Sequence, residues 1–134
     1  MNLTDKITVV TGAASGIGLA TAKAFAAVGG TVYLGDLNEA DGEQAAADIR
    51  SAGGTATFIP LDIANDDAIA AFKDQIISES GRLDVLANVA GWGHTEFFVE
   101  SSPASWDKEI DINLKGPMKM CHAFLPGMYE QSYG

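Results

Sequence analysis

Short β-branched apolar runs alternate along the chain with longer segments of helical period. Lys6–Val10 (KITVV) predicts a first strand, and an Ala-rich segment from about Gly16 to Val28 predicts a helix that Gly29-Gly30 stops. Thr31–Leu34 predicts a second strand. Glu39–Ala52 predicts a helix with Ala45, Ile49 and Ala52 facing inward and Asp41, Glu43, Asp48 and Arg50 facing water, and Gly53-Gly54 ends it. A third strand is expected at Thr55–Pro60, a helix at Asp66–Glu79 with Ile69, Phe72 and Ile76 on one face, and a fourth strand at Leu83–Ala87. A loop from Gly91 to Ser101 follows. Ser102-Pro103 then supplies an N-cap and a first-turn Pro for a long last helix running towards Met128. The order is βαβαβαβα, with no Pro- or Ser-rich linker and no repeat. Strands buried on both faces and joined by crossover helices imply an α/β fold, a doubly wound parallel sheet. Such sheets bind ligands beyond the carboxyl ends of their strands, so the residues just after each strand are the ones to read for chemistry.

Composition narrows the picture. The 134 residues suit one domain at roughly 100–200 residues per domain. With 47% apolar and 19% charged residues, the chain can bury a core. Eight Lys and Arg against 18 Asp and Glu give a net charge of −10, the wrong sign for a nucleic acid or an anionic membrane surface. Cys121 has no second cysteine to pair with, and no signal peptide and no apolar run of membrane-spanning length stands in the sequence, so a cytoplasmic location is expected. No His, Cys and Asp cluster has metal-ligand spacing, Cys121-His122 alone being too little.

The strand ends carry compatible residues in succession. After the first stands Thr11-Gly12-Ala13-Ala14-Ser15-Gly16-Ile17-Gly18. Glycines there allow a tight turn, close backbone approach to a pyrophosphate and close packing of the helix whose N-terminus favours an anion, although a plain glycine turn is the bland alternative. Asp36-Leu37 follow the second strand. Asp36 lies 18 residues beyond Gly18, close to the spacing of roughly 20 for the acid that bonds an adenosine ribose. A carboxylate there repels a 2′-phosphate, and Ala13, Ala14 and Leu37 offer no basic side chain to hold one, so NAD is expected over NADP; capping of the next helix is the other role open to Asp36. Asp62 after the third strand can accept from an adenine amino group or form a turn with Asn65 and Asp66. In Asn88-Val89-Ala90-Gly91, Asn88 can tie strand ends together, and Ala90 and Gly91 leave room for a flat ring and a sugar.

These residues together resemble the short-chain dehydrogenase/reductase family. Its TGxxxGxG motif is matched throughout Thr11–Gly18, and its Asn-Asn-Ala-Gly motif is matched at Asn88–Gly91 except for Val89. The resemblance runs from Lys6 to Gly134. It implies a Rossmann-like sheet of strand order 3-2-1-4 with helices on both faces. It further implies that Gly12, Ser15, Gly16, Ile17 and Gly18 hold the pyrophosphate and nearby ribose, that Asp36 holds the adenosine ribose, that Asp62 and Ile63 line the adenine site, and that Asn88 to Gly91 flank the nicotinamide. Asp111-Ile112-Asn113-Leu114-Lys115-Gly116 resembles the segment bearing the family's catalytic Asn, whose main-chain carbonyl holds a water. Independently, residue 117 is Pro and has no N–H to bond the Asn113 carbonyl, which predicts a freed carbonyl and a bend near Gly116-Pro117.

The family transfers hydride between a nicotinamide and a carbonyl or alcohol carbon, with a Tyr as acid/base, a Lys four residues later and a Ser. A phenol of pKa about 10 needs such a cation to act near neutrality. No Tyr-x-x-x-Lys occurs here: Tyr33 is followed four positions on by Leu37, Tyr129 by Tyr133, and Tyr133 stands next to Gly134. Gln131–Gly134 looks like the turn into a fifth strand. The expectation is a cofactor-binding half, inactive and poorly stable by itself, with an unpaired fourth strand that invites pairing and a last helix suited to homo-oligomer contact. The alternative is a non-catalytic NAD-binding or assembly module. His94 reads as a solvated loop residue, Trp92, Phe97 and Phe98 as pocket or core cover, and Met118, Met120, Phe124 and Met128 as core at helical spacing.

Overall fold

The computed structural model describes residues 2–134. Its elements are β1 (Ile7–Thr11), α1 (Gly16–Ala27), β2 (Thr31–Asp36), α2 (Glu39–Ser51), β3 (Thr55–Pro60), α3 (Asp66–Ser80) and β4 (Val85–Ala87), then α4 (Pro103–Ile110) and α5 (Gly116–Glu130), separated by a π-helical turn at Asp111–Lys115. The four strands form one parallel sheet of order β3-β2-β1-β4, as the resemblance implies.

Alternation along each strand sorts the core into two layers. Val10, Val32, Leu34 and Ala56 face α1 and α2, meeting Ala22, Ala45, Ala46 and Ile49. Val9, Tyr33 and Ile59 face the other way, towards Ile69, Phe72 and Ile76 of α3 and Met120, Phe124 and Met128 of α5. Chain order reverses across the sheet between β1 and β4, and that switch point fixes where a cleft can open.

Tyr33 is buried in the second layer, where its hydroxyl donates to Glu79 Oε2 (3.0 Å) and pairs with Ser80 Oγ (2.7 Å). Burial pushes its phenol above the ordinary value, with Glu79 adding to the rise and Ser80 opposing it. A catalytic phenolate needs the opposite shift.

Five details differ from the pattern read along the chain. β2 extends through Asp36, which pairs with Pro60, so the carboxylate belongs to the strand's last residue rather than to the turn after it. Ala52 is exposed, because α2 stops at Ser51 and its buried face is made by Gly42, Ala45, Ala46 and Ile49. β4 begins at Val85, not Leu83. There the Ile7 N–H goes to the Asp84 carboxylate (2.8 Å) and the Leu83 carbonyl receives the Gln131 side chain (2.6 Å), so both are engaged outside the ladder. The predicted single bent helix is interrupted one turn before Pro117, where the Gly116 N–H reaches the Asp111 carbonyl five residues back. A missing amide at 117 removes a normal i→i+4 partner, and the chain widens into a π turn to accommodate it. Met118 is exposed while Met120, Phe124 and Met128 are buried.

Candidate functional site

Beyond the carboxyl ends of β1 and β4 opens a cleft of about 600 Å³. It gathers Gly12, Ser15, Gly16, Ile17, Gly18, Asp36, Leu37, Asp62, Ile63, Ala90 and Gly91, contributed by the ends of all four strands. Val89, Trp92, Lys108 and Ile112 complete its β4 and α4 side. Asn88 and Asn113 are not among its lining residues.

The β1–α1 turn is shaped by what its glycines leave out. Gly12 has φ +66°, and a Cβ there would lie 2.7 Å from the Ala90 Cα. A Cβ on Gly18 would fall 2.0 Å from the Gly12 carbonyl oxygen. Only with both hydrogens in place can α1 and the β4 end close on the turn. At the start of α1, Ser15 takes the N-cap position but its hydroxyl makes no cap bond, and the first turn holds no acidic residue. The first backbone bond is Leu19 N–H to Ser15 O (3.0 Å), which leaves the earlier amides of the helix for an anion in the cleft. Unpaired amides at a helix N-terminus are a setting that favours an anion.

Asp36 is held from two directions. Its Oδ2 accepts the Ala14 N–H (2.9 Å) and its Oδ1 the Asn38 N–H (3.0 Å). The carboxylate thereby ties the β1 turn to the β2 end, and each oxygen retains a lone pair for a ligand hydroxyl. Capping of α2 belongs to Asn38, whose side chain accepts the Asp41 N–H (3.2 Å). Asp62 Oδ1 accepts the Ala64 N–H (2.9 Å) while the Asp62 carbonyl accepts from Asn65, so a turn forms there with Ala64 and Asn65. Exposed Ile17 and Leu37 give the cleft apolar lips, suited to the faces of a planar ring.

The β4 end is organised by residues whose roles differ from the sequence reading. Asn88 does not tie the strand ends; its amide donates to Cys121 Sγ on α5 (3.5 Å). The tie is made by Thr11, buried at the last position of β1, whose Oγ1 accepts both the Val89 and the Ala90 N–H (3.0 Å each). The signal for it is a hydroxyl residue at the last position of a buried strand, beside the motif glycine. Asn113 acts through its side chain: Oδ1 accepts the Trp92 N–H (2.8 Å) and Nδ2 donates to the Trp92 carbonyl (2.6 Å). This two-point clamp fastens the loop after β4 to the π turn. The Trp92 indole stacks on His94 and carries the Lys108 ammonium 4.0 Å above its centroid, and the Glu109 carboxylate accepts the His94 N–H (3.3 Å). Phe97 and Phe98 are exposed, Phe98 lying flat on Trp106. Lys108 and Ile112, four residues apart, share the helix face towards the cleft, a spacing that would have found them.

Among the described residues no group of three His, Cys, Asp or Glu is placed to hold a metal ion, and no helix is long and apolar enough to cross a membrane.

A family model described as short chain dehydrogenase matches residues 6–134. Cyclopentanol dehydrogenase of Comamonas testosteroni is 42% identical over 111 residues, covering 83% of this chain and 44% of that protein. The 3-oxoacyl-[acyl-carrier-protein] reductase FabG of Thermotoga maritima is 33% identical over 134 residues, covering all of this chain and 54% of that one. The chain spans about half the length of these relatives. Among solved structures, gox2181 superposes with a TM-score of 0.96 at 32% identity, covering 99% of this chain and 52% of its own. A hydroxysteroid dehydrogenase from Escherichia coli gives 0.92 at 28% identity, covering 97% and 55%.

Proposed function

From the premise that this chain belongs to the short-chain dehydrogenase family, we propose that its cleft binds NAD in preference to NADP, as the dinucleotide half of an oxidoreductase acting on a carbonyl or alcohol. Bound there, the nicotinamide would supply the hydride acceptor or donor. The observation that carries the reading is Asp36, a carboxylate fixed by two backbone amides at the end of β2; among the described residues the only cation lining the cleft is Lys108, on α4. A 2′-phosphate would meet that charge, whereas two ribose hydroxyls would find acceptors. Gly12, Ser15, Gly16, Ile17 and Gly18 would hold the pyrophosphate, Leu37, Asp62 and Ile63 the adenine end, and Ala90 and Gly91 the nicotinamide end. Asn88 would support the site from outside it, through Cys121.

On this reading Asn113 is a catalytic residue through its main-chain carbonyl and, through its side chain, the anchor of the cleft's Trp92 wall. The Tyr and Lys that would move the proton are not among these 134 residues, so we propose that the chain alone binds without turning over. That same lack supports the second reading, a non-catalytic NAD-binding or assembly module. We further propose that residues 1–134 form one NAD-binding Rossmann-like domain, the cofactor half of a protein working in the cytoplasm as a homo-oligomer.

Titration calorimetry with NAD and NADP tests the cofactor assignment. NAD is expected to bind at least tenfold more tightly, and Asp36→Ala to remove most of that difference. Tighter NADP binding by the unaltered protein would overturn it. Hydride transfer by these 134 residues alone would overturn the assignment of the proton step to an absent Tyr and Lys.

A further inference from the structure

Among the described residues Lys108 is the one cationic side chain lining the cleft, which the carboxylates of Asp36 and Asp62 also line, in a chain of net charge −10. Among the described residues it has no carboxylate within ion-pair distance, unlike Arg50, Arg82, Lys115 and Lys119. Its ammonium rests on the Trp92 ring at 4.0 Å, and the Trp92 backbone is clamped on both sides by Asn113. The Trp92 ring is half-buried and uncharged, so it holds the ammonium less firmly than an anion would, and the cation can leave for a stronger partner. Service to a helix end is not its role. Although Lys108 lies in the last turn of α4, the chain runs on through the π turn into α5, so that turn presents no bare carbonyl end.

We infer that Lys108 is the counter-charge for the pyrophosphate of the bound dinucleotide, held ready on Trp92 and reaching the phosphates from the α4 side while the α1 amides hold them from the other. The inference rests on the dinucleotide reading of the cleft. It adds to it the residue that offsets the field of Asp36 and Asp62, which the helix N-terminus alone would face unaided. A phosphate replaces an uncharged ring as the partner of the ammonium, and charge-assisted bonds of this kind are among the stronger ones available at a surface.

Calorimetry with NAD, and with adenosine as a probe that keeps base and ribose but no phosphate, separates the outcomes. Lys108→Met is expected to weaken NAD binding about three- to tenfold near 0.05 M salt. The loss should shrink towards nothing near 0.5 M, where charges are screened within a few ångströms. Adenosine binding should not change, Lys108→Arg should retain the affinity for NAD, and Lys108→Glu should lose more than the Met variant. An unchanged NAD affinity and salt dependence in Lys108→Met would overturn the inference, as would a parallel loss for adenosine, which would assign the side chain to the architecture of the wall. Failure of the unaltered protein to bind NAD would instead overturn the reading of the cleft itself.

Discussion

Thr11 bears on the site through a single oxygen. It accepts two amides from the segment after β4, and no other group near the end of β1 takes both. Thr11→Val keeps the shape and removes the acceptor, leaving Val89 and Ala90 N–H unpaired in a half-buried setting. An unsatisfied amide costs about 1–3 kcal/mol, so urea unfolding should show a loss of about 2 kcal/mol. Thr11→Ser should recover most of it, and a Val variant as stable as the parent would deny the tie. Residue identity was legible where chemistry demanded a type: Asp36, Asp62 and the three motif glycines all line the cleft. Direction was not legible. Asn88 and Asn113 carry the same amide, yet one reaches Cys121 and the other spans Trp92, because neighbours far along the chain decide which donor and acceptor each amide meets.

The helices and strands were legible to within a residue or two wherever capping and periodicity agreed. Asn65 caps α3 through the Asp67 and Ala68 N–H, and Ser102 caps α4 through the Ser105 N–H. What periodicity leaves open is how closely two elements approach. α1 crosses the β1 turn so tightly that Gly18→Ala would set a methyl against the Gly12 carbonyl, a rigid backbone atom. Overpacking costs about 1–3 kcal/mol, and here neither partner is a side chain that can turn away. The Ala variant is therefore expected to unfold at lower urea and to bind NAD poorly, despite the better helix propensity of Ala. Equal stability would indicate that the turn can relax. The π turn shows the same division: Pro117 announces a defect in its sequence, but its placement over Asp111–Lys115, bridged by the Lys115–Asp111 pair, depends on α4 and α5 both packing in register. That hydrogen bond, with the charge of Asp111, holds the exposed Lys115 above the usual lysine range.

At the scale of the whole molecule, Ile110, Leu114, Met118, Leu125 and Tyr129 lie exposed along α4, the π turn and α5, near helical spacing, and β4 has a neighbour on one side only. Contiguous apolar surface of this kind is where partners pack. The proposed homo-oligomer is expected to use it: Leu114→Lys with Met118→Lys should shift sedimentation to a smaller species while leaving NAD affinity within about twofold, a factor of less than half a kcal/mol. An unchanged sedimentation profile would exclude this face. By itself the sequence determined the parallel α/β architecture, the residue types at the strand ends and the net negative charge, because periodicity, turn chemistry and composition act locally. Only the tertiary structure decided that Thr11 rather than Asn88 joins β1 to β4, that Asn113 grips Trp92, and that Lys108 enters the cleft. Each of those depends on groups separated by tens of residues, whose distance and direction are set when the two core layers close on the sheet.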